Sequence, residues 1–169
     1  MDPRKREVND ITLRPVTDED REFLLSVYAA GREVELSLVP WDDGMKRSFI
    51  EHQYKAQDDH YRSYYENATH DVIIADGVPV GRLYLERTGK QIAILDIGVL
   101  PEFRTQGIAS AIVRRLQDEA RADGRHIRIY IESFNSADKL FSELGFEMTE
   151  NDGGLRRFEW RPAPAKENS

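Results

Sequence analysis

The sequence predicts an α+β fold in which helices are layered on a mixed sheet (α/β/α), and three features carry that expectation. Residues 72–99 read as a meander of three alternating strands, the first two joined at Asp76-Gly77, a dipeptide that supplies the positive φ angles of a tight hairpin. After the meander, strands pass twice into helices, as crossover connections do. Segments with apolar residues at helical spacing supply the layers that cover the sheet.

Taken in order, Ile11-Thr-Leu-Arg-Pro-Val alternates like a strand, and Thr17-Asp-Glu-Asp offers an N-cap and an acidic first turn for a helix reaching about Glu35. Asp43 caps a second, long helix in which Phe49, Gln53, Ala56, His60 and Tyr64 form one stripe, with Ile50, Tyr54, Gln57 and Tyr61 beside it. Residues 72–75, 78–86 and 91–99 are the meander strands, and Pro101 interrupts the ladder because it has no N–H to donate. Ile108, Ala111, Ile112, Leu116 and Ala120 mark a helix over residues 106–122, which Asp123-Gly124 ends. A strand over residues 126–131 follows, then a short helix on Ala137, Leu140, Phe141 and Leu144, then two strands around Asp152-Gly-Gly. The expected order is β α α β β β α β α β β, with about four helices. A single domain is expected over residues 10–161, and the polar, Pro-containing ends, residues 1–9 and 162–169, are expected to be flexible.

With 169 residues, 40% of them hydrophobic and 33% charged, the chain has the composition of an ordinary globular domain. The absence of cysteine excludes disulfides, a thiolate nucleophile and a Cys-based metal site. The four histidines, at positions 52, 60, 70 and 126, form no metal-ligand pattern, so no metal is expected. The apolar runs are too short to span a bilayer and the first residues lack the apolar middle of a signal peptide, so a cytoplasmic protein with no membrane partner is expected. A net charge of −7 opposes binding to nucleic acid and favours the approach of cations. Monomer and homodimer both remain open.

The chemically informative stretch is Leu95-Asp-Ile-Gly-Val-Leu-Pro-Glu-Phe-Arg-Thr-Gln-Gly-Ile-Ala-Ser-Ala. A strand runs here into a loop that carries Arg104 and Gly107 as a helix begins, so free backbone N–H groups and the positive helix end face whatever lies above the loop. Gly107 permits close approach of a phosphate, Ala109 is small, and Arg104 can add a charge-assisted bond. Neither GxxxxGK[ST] nor GxGxxG occurs, which disfavours ATP hydrolysis and dinucleotide binding.

At this point the chain resembles the GNAT acetyltransferase superfamily, whose hallmark [RQ]-x-x-G-x-[GA] reads here Arg104-Thr-Gln-Gly107-Ile-Ala109. The approach Val99-Leu-Pro-Glu-Phe-Arg and the later Asn135 to Phe146, NSADKLFSELGF, are similar to its flanking signatures. The resemblance implies a mostly antiparallel, seven-stranded sheet splayed in a V between the strand ending at Val99 and the strand ending at Ile131. It implies acetyl-CoA as cofactor and coenzyme A as product. Pantetheine would pair with the backbone of Ile97 and Val99, past Gly98. The pyrophosphate would rest on N–H groups of Gln106, Gly107, Ile108 and Ala109, with Arg104 and Thr105 in the same loop and Asn135 and Phe141 contributed by the later signature.

The reaction so implied is attack of a primary amine, of a small molecule or a protein, on the thioester. Because an alkylammonium has a pKa of about 10.4, a group must accept its proton. Glu132, Asp96 and Glu86 are the candidates, with Glu132 ranked first because it ends the strand lining the split. Family members commonly carry a tyrosine as general acid where this chain has Phe141; Tyr84, Tyr130 or water are the substitutes. On the acceptor side Trp41, Gln53, Gln57 and Tyr84 are the candidate contacts. The alternative reading is a catalytically degenerate acyl-CoA-binding sensor or scaffold, which Phe141 favours and Glu132 and Asp96 oppose.

Overall fold

Alternating and helically spaced segments become seven strands and five α-helices among the described residues, 8–132 and 137–164, of a computed structural model. The strands are β1 (Ile11–Pro15), β2 (Ala68–Ala75), β3 (Val78–Arg87), β4 (Gln91–Val99), β5 (His126–Glu132), β6 (Glu147–Asn151) and β7 (Leu155–Trp160). The helices are α1 (Arg21–Gly31), α2 (Glu33–Ser37), α3 (Asp43–Tyr64), α4 (Ile108–Asp123) and α5 (Asp138–Glu143). The strands hydrogen-bond in the order β1-β2-β3-β4-β5-β7-β6. β4 and β5 pair in parallel, from Gln91↔His126 to Ile94↔Ile129. The pairs β1/β2, β2/β3, β5/β7 and β6/β7 are antiparallel, so the sheet is mixed and mostly antiparallel, as expected.

Contacts divide the chain into two compact units, Met1–Glu86 with Asp96–Ala109, and Arg87–Leu95 with Ser110–Ser169. In the first unit the Asp76-Gly77 hairpin has φ of 49° and 82° and joins β2 to β3. Val72, Ile73, Val80, Leu83 and Leu85 are buried on these strands. Leu25, Tyr28, Leu36 and Ile50 form a cluster among the helices, with Val39, Trp41, Phe49 and Tyr54 packed against it. At the entry to α1, Asp20 accepts from both Nη atoms of Arg14, at 2.7 and 2.8 Å, and from the Thr17 N–H. The Arg14 bonds first, and then the Thr17 bond, hold its carboxyl well below the ordinary carboxylate range.

His70 on β2 faces Tyr84 on β3 in register, and the two rings stack at 4.3 Å. The Tyr84 ring also meets Tyr61 of α3 edge-on, at 4.9 Å. Among the described residues no group bonds the buried Nε2 of His70. Burial, reinforced by the positive charge of Arg82, pushes the His70 pKa down to about 4.

In the second unit α4 buries Ile112, Val113, Leu116 and Ala120, while β5 buries Ile127, Ile129 and Ile131. Gln117 is buried because its Nε2 donates to Leu144 O at 2.8 Å, closing the end of α5. Phe141 and Phe146 meet edge-on at 5.1 Å. β6 is exposed along its whole length.

Several sequence expectations need correction. The first helix breaks at Arg32, whose φ and ψ of −106° and 2° leave the helical well just after Gly31, so α1 and α2 replace one helix and the helices number five. Asp42, not Asp43, caps α3, accepting from Met45 N–H at 2.8 Å. The inward stripe of α3 is Ile50, Tyr54, Gln57 and Tyr61; Ala56, His60 and Tyr64 are exposed. β2 begins four residues before Val72 because Ala68, Thr69 and His70 find partners on β3. α4 begins at Ile108 rather than Gln106, since Thr105 and Gly107 both take positive φ.

β3 and β4 approach so closely at Gly81 that a Cβ there would lie 2.1 Å from Gly98 O. Gly81→Ala is therefore expected to lower stability by about 2–4 kcal/mol in urea denaturation, and an unchanged midpoint would refute the close approach. For His70, an NMR titration of the imidazole is expected to show a neutral ring at pH 6 and a midpoint near 4. Its ordinary pKa is about 6.5, so its contribution to stability is full above that pH and is lost as pH falls toward 4.

Candidate functional site

β4 ends where its ladder does. Leu100 N–H donates to Val80 O at 2.8 Å. Then Pro101, which has no N–H, opens a single 3₁₀ turn over Pro101–Phe103. Arg104 N–H bonds back to Pro101 O at 3.2 Å, and Arg104 Nε donates to Val99 O at 3.0 Å, so the side chain ties the loop to the strand it has just left. Gln106 Nε2 reaches Glu102 O at 3.3 Å.

Between these ties lie two left-handed residues, Thr105 with φ 63° and Gly107 with φ 78°. Glycine adopts this region freely, but a β-branched threonine pays for it in strain of about 1–3 kcal/mol. Such strain persists where the surrounding bonds over-determine it, as the Arg104 and Gln106 bonds do here. The turn then delivers the chain into α4 at Ile108, with the first N–H groups of a 16-residue helix lacking intrahelical acceptors. Ile108 itself is buried, so only its backbone is available to a ligand. The arrangement is chemically suited to a phosphate-like anion. Ile97, Gly98 and Val99 precede it on β4, each partly exposed.

The charged centre of the first unit is one that sequence reasoning missed. Arg82, on β3, is 1% exposed. Its Nε donates to Asp96 Oδ2 at 2.7 Å, its Nη2 contacts the same oxygen, and Nη2 also donates to Gln57 Oε1 at 2.5 Å. The rings of Tyr28 and Tyr54 lie 5.9 and 5.5 Å from its guanidinium carbon. Burial disfavours the charge, yet Asp96, with Tyr54 and Tyr61, more than offsets it, and the pKa is raised. Burial also raises the pKa of Tyr54 and of Tyr84. The only sequence signal was an arginine at an inward position of an otherwise apolar strand.

The remaining candidates are placed as follows. Asp96 is the partner of Arg82 and Gln57 supports the same guanidinium, so neither stands alone on a solvated surface. Tyr84 is buried between His70 and Tyr61, and Trp41 packs on Phe49 at 5.3 Å. Gln53 is half-buried on α3. A cavity of about 650 Å³ opens among α1, α2, α3 and Leu100–Glu102, lined by apolar Leu25, Ala29, Leu36 and Ile50 and by charged Glu33, Lys46 and Arg47. Trp41, Gln53, Gln57 and Tyr84 do not line it. Glu132 ends β5 opposite Leu155, and its carbonyl accepts from Arg156 Nη2 at 3.2 Å. Phe141 is 0% exposed, so its ring is a core ring with no surface to offer a ligand. Asn135 lies outside the described residues.

Comparison with solved structures finds the same fold at low sequence identity. An N-acetyltransferase (PaiA) from Thermoplasma acidophilum, in complex with coenzyme A, is 18% identical and aligns over 91% of this chain and 100% of its own, with a TM-score of 0.67. An acetyltransferase from Thermus thermophilus aligns over 93% and 100% at 15% identity, TM-score 0.68. The ribosomal-protein-S18-alanine N-acetyltransferase of Escherichia coli aligns over 95% and 99% at 16% identity, TM-score 0.60. No curated protein sequence matches the chain. The acetyltransferase (GNAT) family profile matches residues 32–146, more than half of the chain and including the whole turn from Arg104 to Ala109, and the chain is a member of that family.

Proposed function

We propose that this protein is an N-acetyltransferase that takes an acetyl group from acetyl-CoA and delivers it to a primary amine of a small molecule or a protein. The observation that carries the reading is the strained turn at Thr105 and Gly107 ahead of α4, in a chain of this family. Acetyl-CoA supplies a thioester carbonyl and leaves as coenzyme A. The pyrophosphate would lie on the N–H groups of Gln106 to Ala109, flanked by Arg104 and Thr105, and the pantetheine arm along Ile97, Gly98 and Val99. A backbone N–H of that segment would polarise the carbonyl under attack. Glu132, ahead of Asp96, is proposed to accept the proton of the amine. No helix among the described residues is long and apolar enough to cross a membrane, and a cytoplasmic location is part of the proposal.

One observation favours a second reading. Phe141 carries no hydroxyl and is wholly buried, so it has no proton to give a departing thiolate. A thiolate of ordinary pKa near 8.5 leaves without a donor, more slowly, which keeps catalysis the preferred reading. The second reading is an acyl-CoA-binding module without turnover.

Titration with acetyl-CoA is expected to raise the melting temperature in a concentration-dependent way, gaining about 2.7 kcal/mol at a hundredfold excess over Kd, while ATP and NAD leave it unchanged. A shift without thiol release from any amine would favour the binding module, and no shift would remove the cofactor assignment. Glu132→Gln is expected to lower kcat about a hundredfold or more while the acetyl-CoA shift persists; an unchanged kcat would take the base role from Glu132.

A further inference from the structure

Neither the cofactor turn nor the proposed base accounts for the burial of Arg82. A guanidinium and a carboxylate frequently align as a fork, two nitrogens on two oxygens. Here both contacts, from Nε and from Nη2, fall on Oδ2 of Asp96. The guanidinium is turned instead toward Gln57, which takes a bond from Nη2, and is flanked by the rings of Tyr28 and Tyr54. The carboxylate is therefore gripped by one oxygen, while its side chain remains 33% exposed.

We propose that Arg82 is a positioning residue: Gln57, Tyr28 and Tyr54 fix its guanidinium, the guanidinium fixes Oδ2 of Asp96, and Oδ1 receives the ammonium group of the acceptor. The inference rests on the acetyl-transfer reading and deepens it by making the acceptor a cation when it binds. A carboxylate held from behind by a buried charge loses little rotamer freedom when the ammonium arrives, which is how a preorganised site gains affinity. Asp96 sits directly before Ile97 to Val99 on the same strand, so an amine bound there is beside the segment proposed to carry the thioester. Arg82 touches no substrate in this arrangement. It acts through Asp96.

The test is steady-state thiol release by the full chain, with cadaverine, lysine methyl ester and a peptide bearing a free N-terminus as probes. Asp96→Asn still accepts the Arg82 bonds through its amide oxygen but cannot hold a cation. It is expected to raise the KM for amine by about tenfold or more, with the KM for acetyl-CoA unchanged. Arg82→Met is expected to raise the same KM and to lower the melting temperature, whereas Arg82→Lys, which keeps the charge, recovers part of the amine KM. Gln57→Leu is expected to fall between them, and with Asp96→Asn it carries the test if Arg82→Met does not fold. An unchanged amine KM in Asp96→Asn, or equal rises in the KM of both substrates, would overturn the proposal. Wild-type protein that releases no thiol with any of the three amines would overturn the acetyl-transfer reading itself, and with it the proposal, before any variant is made.

Discussion

The first unit is organised around one buried positive charge. A guanidinium withdrawn from water costs several kcal/mol unless its hydrogen bonds are met in good geometry, and removing a partner leaves that cost uncompensated. Arg82 meets the requirement with Asp96 from the neighbouring strand β4, Gln57 from α3 and two tyrosine faces from α1 and α3. This single demand constrains four elements at once. Gln57 reaches Nη2 from the inward face of α3, the face that also brings Ile50 and Tyr54 to the apolar cluster. Close beside it β3 and β4 approach at Gly81, which has no side chain to hold them apart, while Gly98 leaves room for Val27 of α1.

The turn after β4 is constrained differently, by its own backbone. Pro101 ends the ladder, the Arg104 and Gln106 side chains tie the loop to carbonyls behind it, and Thr105 is held in a left-handed conformation it would not choose. These ties deliver the chain into a helix start, whose first N–H groups, as in any α-helix, lack intrahelical acceptors and suit the pyrophosphate of an acyl carrier. The ion pair and the turn lie in one unit, and Asp96 is on the same continuous segment as Arg104, separated from it only by the end of β4 and the 3₁₀ turn.

Much of the fold was legible because its signals are local. The Asp76-Gly77 hairpin, the extent of β4, the strand over residues 126–131 and the glycine that ends α4 each depend on φ preferences or on spacings of a few residues. The boundaries that were missed had longer-range causes. β2 extends to Ala68 only because β3 is there to pair with it. On α3 the two neighbouring stripes divide only in the fold: Ile50, Tyr54, Gln57 and Tyr61 turn inward, Phe49 and Gln53 are half-buried, and Ala56, His60 and Tyr64 are exposed. Phe141 has the apolar spacing of a short helix but was also offered by the resemblance as a cofactor contact, and it lies at 0% exposure in the second unit.

The sequence by itself determined the order of the elements apart from the break after Gly31, the glycine and arginine of the turn, and the family to which they point, because each is written in residues adjacent along the chain. Only the tertiary structure decided that Arg82 is buried, that Asp96 and Gln57 serve it rather than stand free, and that Tyr84 lies between His70 and Tyr61. Arg82 is 14 residues from Asp96 and 25 from Gln57. A contact across such separations is set by which faces pack together, and the alternating pattern of β3 does not encode it.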